Sequence, residues 1–274
     1  MSNKHFQISQ SDLTIADIES ILKENLKLKL DQQTEKKVSS NRLYLDQKLE
    51  NSDVLHYGIN TGFGSLCNKV ISSGELRKLQ VNLVRSHACG LGKEVDNEMV
   101  KIMMLLKIQS LSRGYSGITL TTLKRLIYFF NHDIFPIVYE QGSLGASGDL
   151  APLAHMSLAL IGEGFVSYNN KLISAEQIHI DLKIDPILLE TKEGLALLNG
   201  TQFMSAYAVH AAIHASRLFD HSTKISALSI VNNPVSIILL ISSFKLYNLH
   251  KYSFFSNKDL KFCKFSLVNP FEDI

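Results

Sequence analysis

The chain has 274 residues, a formal net charge of +2 and 45% hydrophobic residues, enough for one large domain or two small ones. No basic block is concentrated enough to favour nucleic acid, and Cys67, Cys89 and Cys263 form no C-x-x-C, which suits a reducing compartment better than a disulfide scaffold. The polar start at residues 1–7 lacks the apolar centre of a signal peptide, and no apolar run reaches the ~20 residues of a membrane span, so a soluble cytoplasmic protein is expected.

Residues 14–23 read as a first helix, with Ile15, Ile18, Ile21 and Leu22 on one face and Thr14 with Asp17 as a capping box. A polar, Lys/Gln-rich stretch follows, then a helix over about residues 40–49 that carries no functional signal. Tyr57-Gly58-Ile59-Asn60-Thr61-Gly62-Phe63-Gly64 describes an irregular loop and not a strand. Tyr57 is there either a packing aromatic or a base poised on the loop. As a base it needs its pKa lowered from about 10.

Ser72 with Glu75 reads as a capping box that opens a third helix, whose apolar face is Leu76, Leu79, Leu83 and Val84. His87 lies one turn beyond Leu83 on that face, as a satisfied core imidazole or as a pocket residue. Residues 100–111 hold Ile102, Met103, Met104, Leu105, Leu106 and Ile108. That run is too short for a bilayer and predicts a buried core helix, with methionines as fillers. Residues 121–132 predict an amphipathic helix that ends before Pro136, and residues 135–139 form an apolar, β-prone run.

Gly142-Ser143-Leu144-Gly145-Ala146-Ser147-Gly148-Asp149 is the most informative stretch. Its glycines require tight bends, and Asp149 stands in the N-cap position of a helix with Pro152 in the first turn. A plain turn is one reading. A phosphate cradle lacks the Lys-Ser/Thr ending, and a serine elbow of the form G-x-S-x-G would need glycine at Asp149. A chemical reading remains: the Gly148 nitrogen attacks the Ala146 carbonyl, closing a five-membered ring. Loss of water from the ring and from Ser147 then leaves an exocyclic methylidene, a strong electrophile.

The helix after Asp149 is expected to run to about residue 161, closed by Gly162 and Gly164. Residues 165–173 read as a β-hairpin around Asn169-Asn170, and Ser174 with Gln177 as the cap of a short helix. Asn199 before Gly200, within Lys192-Glu193-Gly194-Leu195-Ala196-Leu197-Leu198-Asn199-Gly200-Thr201-Gln202, is by itself compatible with a turn. A helix over residues 201–218 follows.

The stretches 57–64, 145–154 and 192–202, with Ser86-His87, resemble the aromatic amino acid ammonia-lyases, over about residues 1–229. That resemblance implies a mainly α, fumarase/aspartase-like fold. A mixed N-terminal domain would occupy residues 1–200, the start of a central helical bundle 201–230, and an atypical tail 231–274. It implies a 4-methylidene-imidazol-5-one group formed from Ala146, Ser147 and Gly148, and a homotetramer that takes an amino acid substrate. The ten histidines form no H-E-x-x-H or comparable cluster, so no metal is expected, nor a nucleotide, a nucleic-acid or a membrane partner. Tyr57 would remove the β-proton, Asn199 would contact the prosthetic group and the substrate carboxylate, and Gly64 would bind substrate.

Ser86-His87 resembles the pair at the substrate side chain in histidine ammonia-lyases, and Ala88 after His87 differs from the Leu usual in tyrosine-specific relatives. Elimination of ammonia from L-histidine to urocanate is therefore expected. A phenylalanine or tyrosine lyase, an aminomutase or a non-catalytic fragment are the alternatives. No glycine occurs after Gly200, and the last 44 residues hold six of the 14 phenylalanines. This departure suggests a frameshifted or prematurely ended reading, without the tyrosine, arginine and glutamate that the family draws from its C-terminal half.

Overall fold

The computed structural model describes residues 4–50, 56, 59–62, 71–142 and 148–231, and the chain divides into two compact units, Met1–His210 and Ala211–Ile274. The first unit is mainly helical, and among its described residues seven short strands form three small sheets. Helix α1 (Ile15–Lys23) starts at its capping box. The Thr14 hydroxyl accepts the Asp17 N–H at 3.1 Å, and the Asp17 carboxylate accepts the Thr14 N–H at 2.9 Å. Two donors that a helix start leaves without partners are thereby satisfied.

Strands β1 (His5–Ile8) and β2 (Lys27–Leu30) pair in parallel on either side of α1 in sequence. The polar stretch expected after α1 thus contains a strand, because Leu28 and Leu30 alternate inward between lysines. Helix α2 (Gln32–Glu50) begins well before residue 40. Asp31 starts it: the carboxylate accepts the Thr34 N–H at 2.6 Å and the carbonyl accepts the Glu35 N–H at 3.0 Å. A second correction falls at Ser72. Its hydroxyl donates to the Glu75 carboxylate at 3.0 Å instead of capping, a 3-10 turn spans Ser73–Glu75, and α3 (Leu76–His87) follows.

After β3 (Leu91–Glu94) comes α4 (Asn97–Ser112), which is buried almost all round. Ile102, Met103, Met104, Leu105, Ile108 and Leu111 are each at most 1% exposed. Each such side chain contributes about 1.5–3 kcal/mol through burial. Helix α5 (Leu120–Asn131) packs on α4 and adds Phe129 and Phe130 to the same core.

The run 135–139 is not one strand. β4 (Phe135–Pro136) pairs with β6 (Phe165–Tyr168), while β5 (Tyr139–Gln141) pairs with β3. The chain changes sheet between them. The Ile137 N–H donates to Phe165 O at 2.9 Å, and Val138 O accepts the Val95 N–H at 2.8 Å.

Helix α6 (Leu150–Leu160) follows the glycine-rich loop. The expected hairpin joins β6 to β7 (Lys171–Ser174), with Asn169 and Asn170 at φ of 51° and 59°, the signs a type I′ turn requires. Ser174 caps α7 (Ala175–Asp181) by accepting the Gln177 N–H at 3.2 Å. Helix α8 (Glu193–Leu198) and α6 both pack against α3. Helix α9 (Gln202–Val231) is longer than the sequence suggested, and its part in the second unit leaves Leu218, Phe219, Ile225 and Leu228 exposed. Residues from 232 on, in the tail, lie outside the described residues.

Candidate functional site

Of the expected site residues, Tyr57, Gly64, Ala146 and Ser147 lie outside the described residues, while Gly148, Asn199 and His87 are described. Gly148 has φ +107°, and a Cβ added there would stand 2.5 Å from Gly200 O and 3.1 Å from Gly200 C. The two glycines form a β-bridge, and the Asp149 N–H donates to Gly200 O at 3.0 Å. Backbone this close, at positive φ, admits only glycine without strain.

Asp149 stands at the N-cap of α6, as expected, but its carboxylate makes no cap bond there. It accepts the N–H of Met204, in the first turn of α9, at 2.9 Å. A buried carboxylate is well placed at a helix N-terminus, where free N–H groups and the positive dipole end meet it. The start of α6 and the start of α9 are thereby bonded to each other.

Asn199 ends α8 with φ −86° and ψ 130°, donates its N–H to Leu195 O at 3.0 Å, and has an exposed side chain. Its own carbonyl accepts Lys107 Nζ at 2.7 Å. Lys107 comes from the middle of α4 and is 1% exposed. Burial lowers its pKa from 10.5 to about 7. Among the described residues no carboxylate pairs with it. At the other end of α8, buried Glu193 accepts the Thr119 and Glu190 N–H groups, both at 2.8 Å.

His87, half-buried at the end of α3, has Nδ1 2.9 Å from Leu83 O. A carbonyl only accepts, so Nδ1 carries a proton, and in the Nδ1–H tautomer Nε2 is the acceptor. Just beyond, the Gly90 N–H donates to His155 Nε2 on α6 at 2.9 Å, and burial lowers the His155 pKa, favouring the neutral ring that this bond needs. A Cβ on Gly142 would stand 2.9 Å from Gly90 Cα. The chain leaving His87 is therefore packed against Gly142 and α6, which flank residues 143–147 on either side.

Around residue 57, the Asn60 side-chain oxygen accepts the His56 N–H at 2.6 Å, and His56 O accepts the Ile59 N–H at 3.0 Å. Those bonds tie His56 to Ile59 and Asn60.

Sequence reasoning missed Lys107, His155 and the bond from Met204 to Asp149. One signal was available: Lys107 is the single charge between Ile102 and Leu111. For the other two, the partners lie 65 and 55 residues apart, and no local pattern joins them.

A family model described as aromatic amino acid lyase matches residues 13–232. Histidine ammonia-lyase 2 of Fusobacterium nucleatum is 41% identical over 227 residues, which is 83% of this chain and 44% of that protein. Histidine ammonia-lyase of Staphylococcus aureus is 44% identical over 217 residues, 79% of this chain and 43% of the relative. The solved phenylalanine aminomutase of Pantoea agglomerans superposes with a TM-score of 0.76 at 33% identity, covering 83% of this chain and 43% of its own. The chain thus spans less than half the length of the curated relatives it matches.

Proposed function

This chain belongs to the aromatic amino acid lyase family, and on that premise we propose that the protein eliminates ammonia from L-histidine to give urocanate. The observation that carries the reading is the closure of Gly148 on Gly200, which joins the glycine-rich loop to the Asn199 turn. The two histidine ammonia-lyase relatives support the choice of substrate.

The fit of a 4-methylidene-imidazol-5-one group can be tested at Gly148. A ring nitrogen there needs a residue without Cβ at an unusual φ, and Gly148 meets both conditions. In the proposal the Ala146 carbonyl carbon would be the ring carbon attacked by the Gly148 nitrogen and would lose its oxygen as water, while Ser147 would supply the other ring nitrogen, the ring carbonyl and, from its Cβ, the methylidene. The group supplies an electron sink that no ordinary side chain offers.

The chain's own residues then bind, orient and move a proton. Tyr57 takes the β-proton. Asn199, with its amide exposed, donates to the substrate carboxylate or holds the prosthetic group. Gly64 lines the substrate position. His87 accepts the substrate imidazole N–H at Nε2, because Nδ1 is committed to Leu83 O. Phenylalanine has no such donor, so His87 discriminates by leaving a site acceptor unpaired with the wrong substrate.

We propose a cytoplasmic homotetramer. No described helix is long and apolar enough to cross a membrane. The exposed Leu218, Phe219, Ile225 and Leu228 of α9 support assembly through an apolar surface. The aminomutase neighbour favours a second reading, migration of the amino group on the same electrophile.

Mass spectrometry and substrate assays separate these readings. The peptide holding Ser147 should lack two waters, and histidine alone among histidine, phenylalanine and tyrosine should yield ammonia and urocanate absorbance. A β-amino acid product without ammonia selects the mutase, and an unmodified peptide from folded protein removes both. Replacement of His87 by Ala should raise KM for histidine about tenfold or more, the cost of one lost polar contact.

A further inference from the structure

Lys107 lies in a helix that is otherwise an apolar core element. Its neighbours Met103, Met104, Ile108 and Leu111 are at most 1% exposed, as is Lys107 itself. A leucine or methionine would fill the same space without desolvating an ammonium. The stem would lose little by that change, so the reason for lysine lies at its tip. The tip makes one described contact, Nζ to Asn199 O at 2.7 Å. A cation suits that place, because Asn199 ends α8, where carbonyls lack helical partners.

The next peptide group bears the site. Gly200 O accepts the Asp149 N–H at 3.0 Å, and Gly200 bridges to Gly148. Fixing the Asn199 carbonyl fixes the peptide plane between Asn199 and Gly200. That plane determines both where the Asn199 side chain leaves the backbone and how Gly200 meets Gly148.

We propose that Lys107 is a positioning residue for the elimination: its donation to Asn199 O holds the Asn199–Gly200 turn against Gly148 from the rigid core. The proposal rests on the lyase reading above. It assigns Lys107 no contact with substrate.

The test compares three variants of the full chain, Lys107→Met, Lys107→Arg and Lys192→Met. The last removes another lysine that donates to a carbonyl before a glycine, Ser116 O at 2.5 Å, and so serves as the stability control. Hydrogen–deuterium exchange is followed at residues 198–204, with the β6–β7 hairpin as internal reference. Dehydration of the Ser147 peptide is followed by mass.

Lys107→Met should speed exchange at residues 198–204 about tenfold or more, the fold-change for losing one charge-assisted hydrogen bond. It should also lower the dehydrated fraction, and Lys107→Arg should restore both. Lys192→Met should leave both unchanged at matched fractions folded. Unchanged exchange at residues 198–204 in Lys107→Met overturns the proposal. So does equal loss of dehydration in Lys192→Met, which would make the effect one of stability. If the unaltered chain is not dehydrated, the lyase reading falls, while the exchange experiment still decides whether Lys107 sets the turn.

Discussion

Two turns in the first unit use the same device and end differently. At Ser116–Gly117, Lys192 donates to Ser116 O, Asn41 Oδ1 accepts the Gly117 N–H at 2.9 Å, and Arg42 donates to Gly117 O at 2.9 Å. Arg42 is itself paired with Asp46. The Ser116 hydroxyl is buried within that cluster. At Asn199–Gly200, Lys107 donates to Asn199 O, the remaining described bonds are with backbone, and the Asn199 side chain is exposed. One turn is sealed by side chains, Lys192, Asn41 and Arg42, of which Arg42 is paired with Asp46. The other is held from behind by a single cation and presents its side chain outward. A lysine before a glycine is therefore not a functional signal in itself; what matters is whether the residue it fixes is covered or offered.

The glycines should separate the two turns most sharply. Gly148→Ala combines φ +107° with a Cβ 2.5 Å from a backbone oxygen that cannot move aside. It should cost more than about 3 kcal/mol and abolish dehydration of Ser147, read by denaturant unfolding and mass. Gly117→Ala meets φ +71° and, at 2.6 Å, only the end of the Leu45 side chain. A cost of about 1–2 kcal/mol is expected there, with dehydration intact.

The lysines should differ in their pH dependence. Burial holds Lys107 at about 7 and Lys192 at about 8, against 10.5 when unfolded. Between about pH 7 and 10.5 the unfolded chain binds the extra proton at Lys107, so stability rises with pH through that window. Below it, both states are charged and the burial penalty is complete. The slope is on the order of 1 kcal/mol per pH unit. Lys107→Met should remove that rise from urea midpoints measured across the window, and Lys192→Met should remove a narrower one starting near pH 8. Equal flattening in both variants would dissolve the contrast.

Smaller effects mark the edges of the site. Asp149→Ala strips a carboxylate from the Met204 N–H and should destabilise by about 1–2 kcal/mol, with faster exchange in the first turn of α9. Arg77→Ala, which breaks an exposed pair with Glu190, should lower the unfolding free energy by less than about 1 kcal/mol.

Local chemistry in the sequence determined much of this protein. The Thr14–Asp17 box, the Asn169-Asn170 turn and the apolar face of α3 follow from rules acting within a few residues, and they formed where expected. The glycine at 148 and the turn at Asn199–Gly200 were legible for the same reason. The parallel pairing of β1 with β2, the splitting of residues 135–141 between two sheets and the bonds that tie α4, α6, α8 and α9 around Gly200 were not. Those depend on which distant backbone arrives at a given carbonyl. A buried polar group must take whatever partner the packed core brings to it, and that partner exists only once the chain has folded.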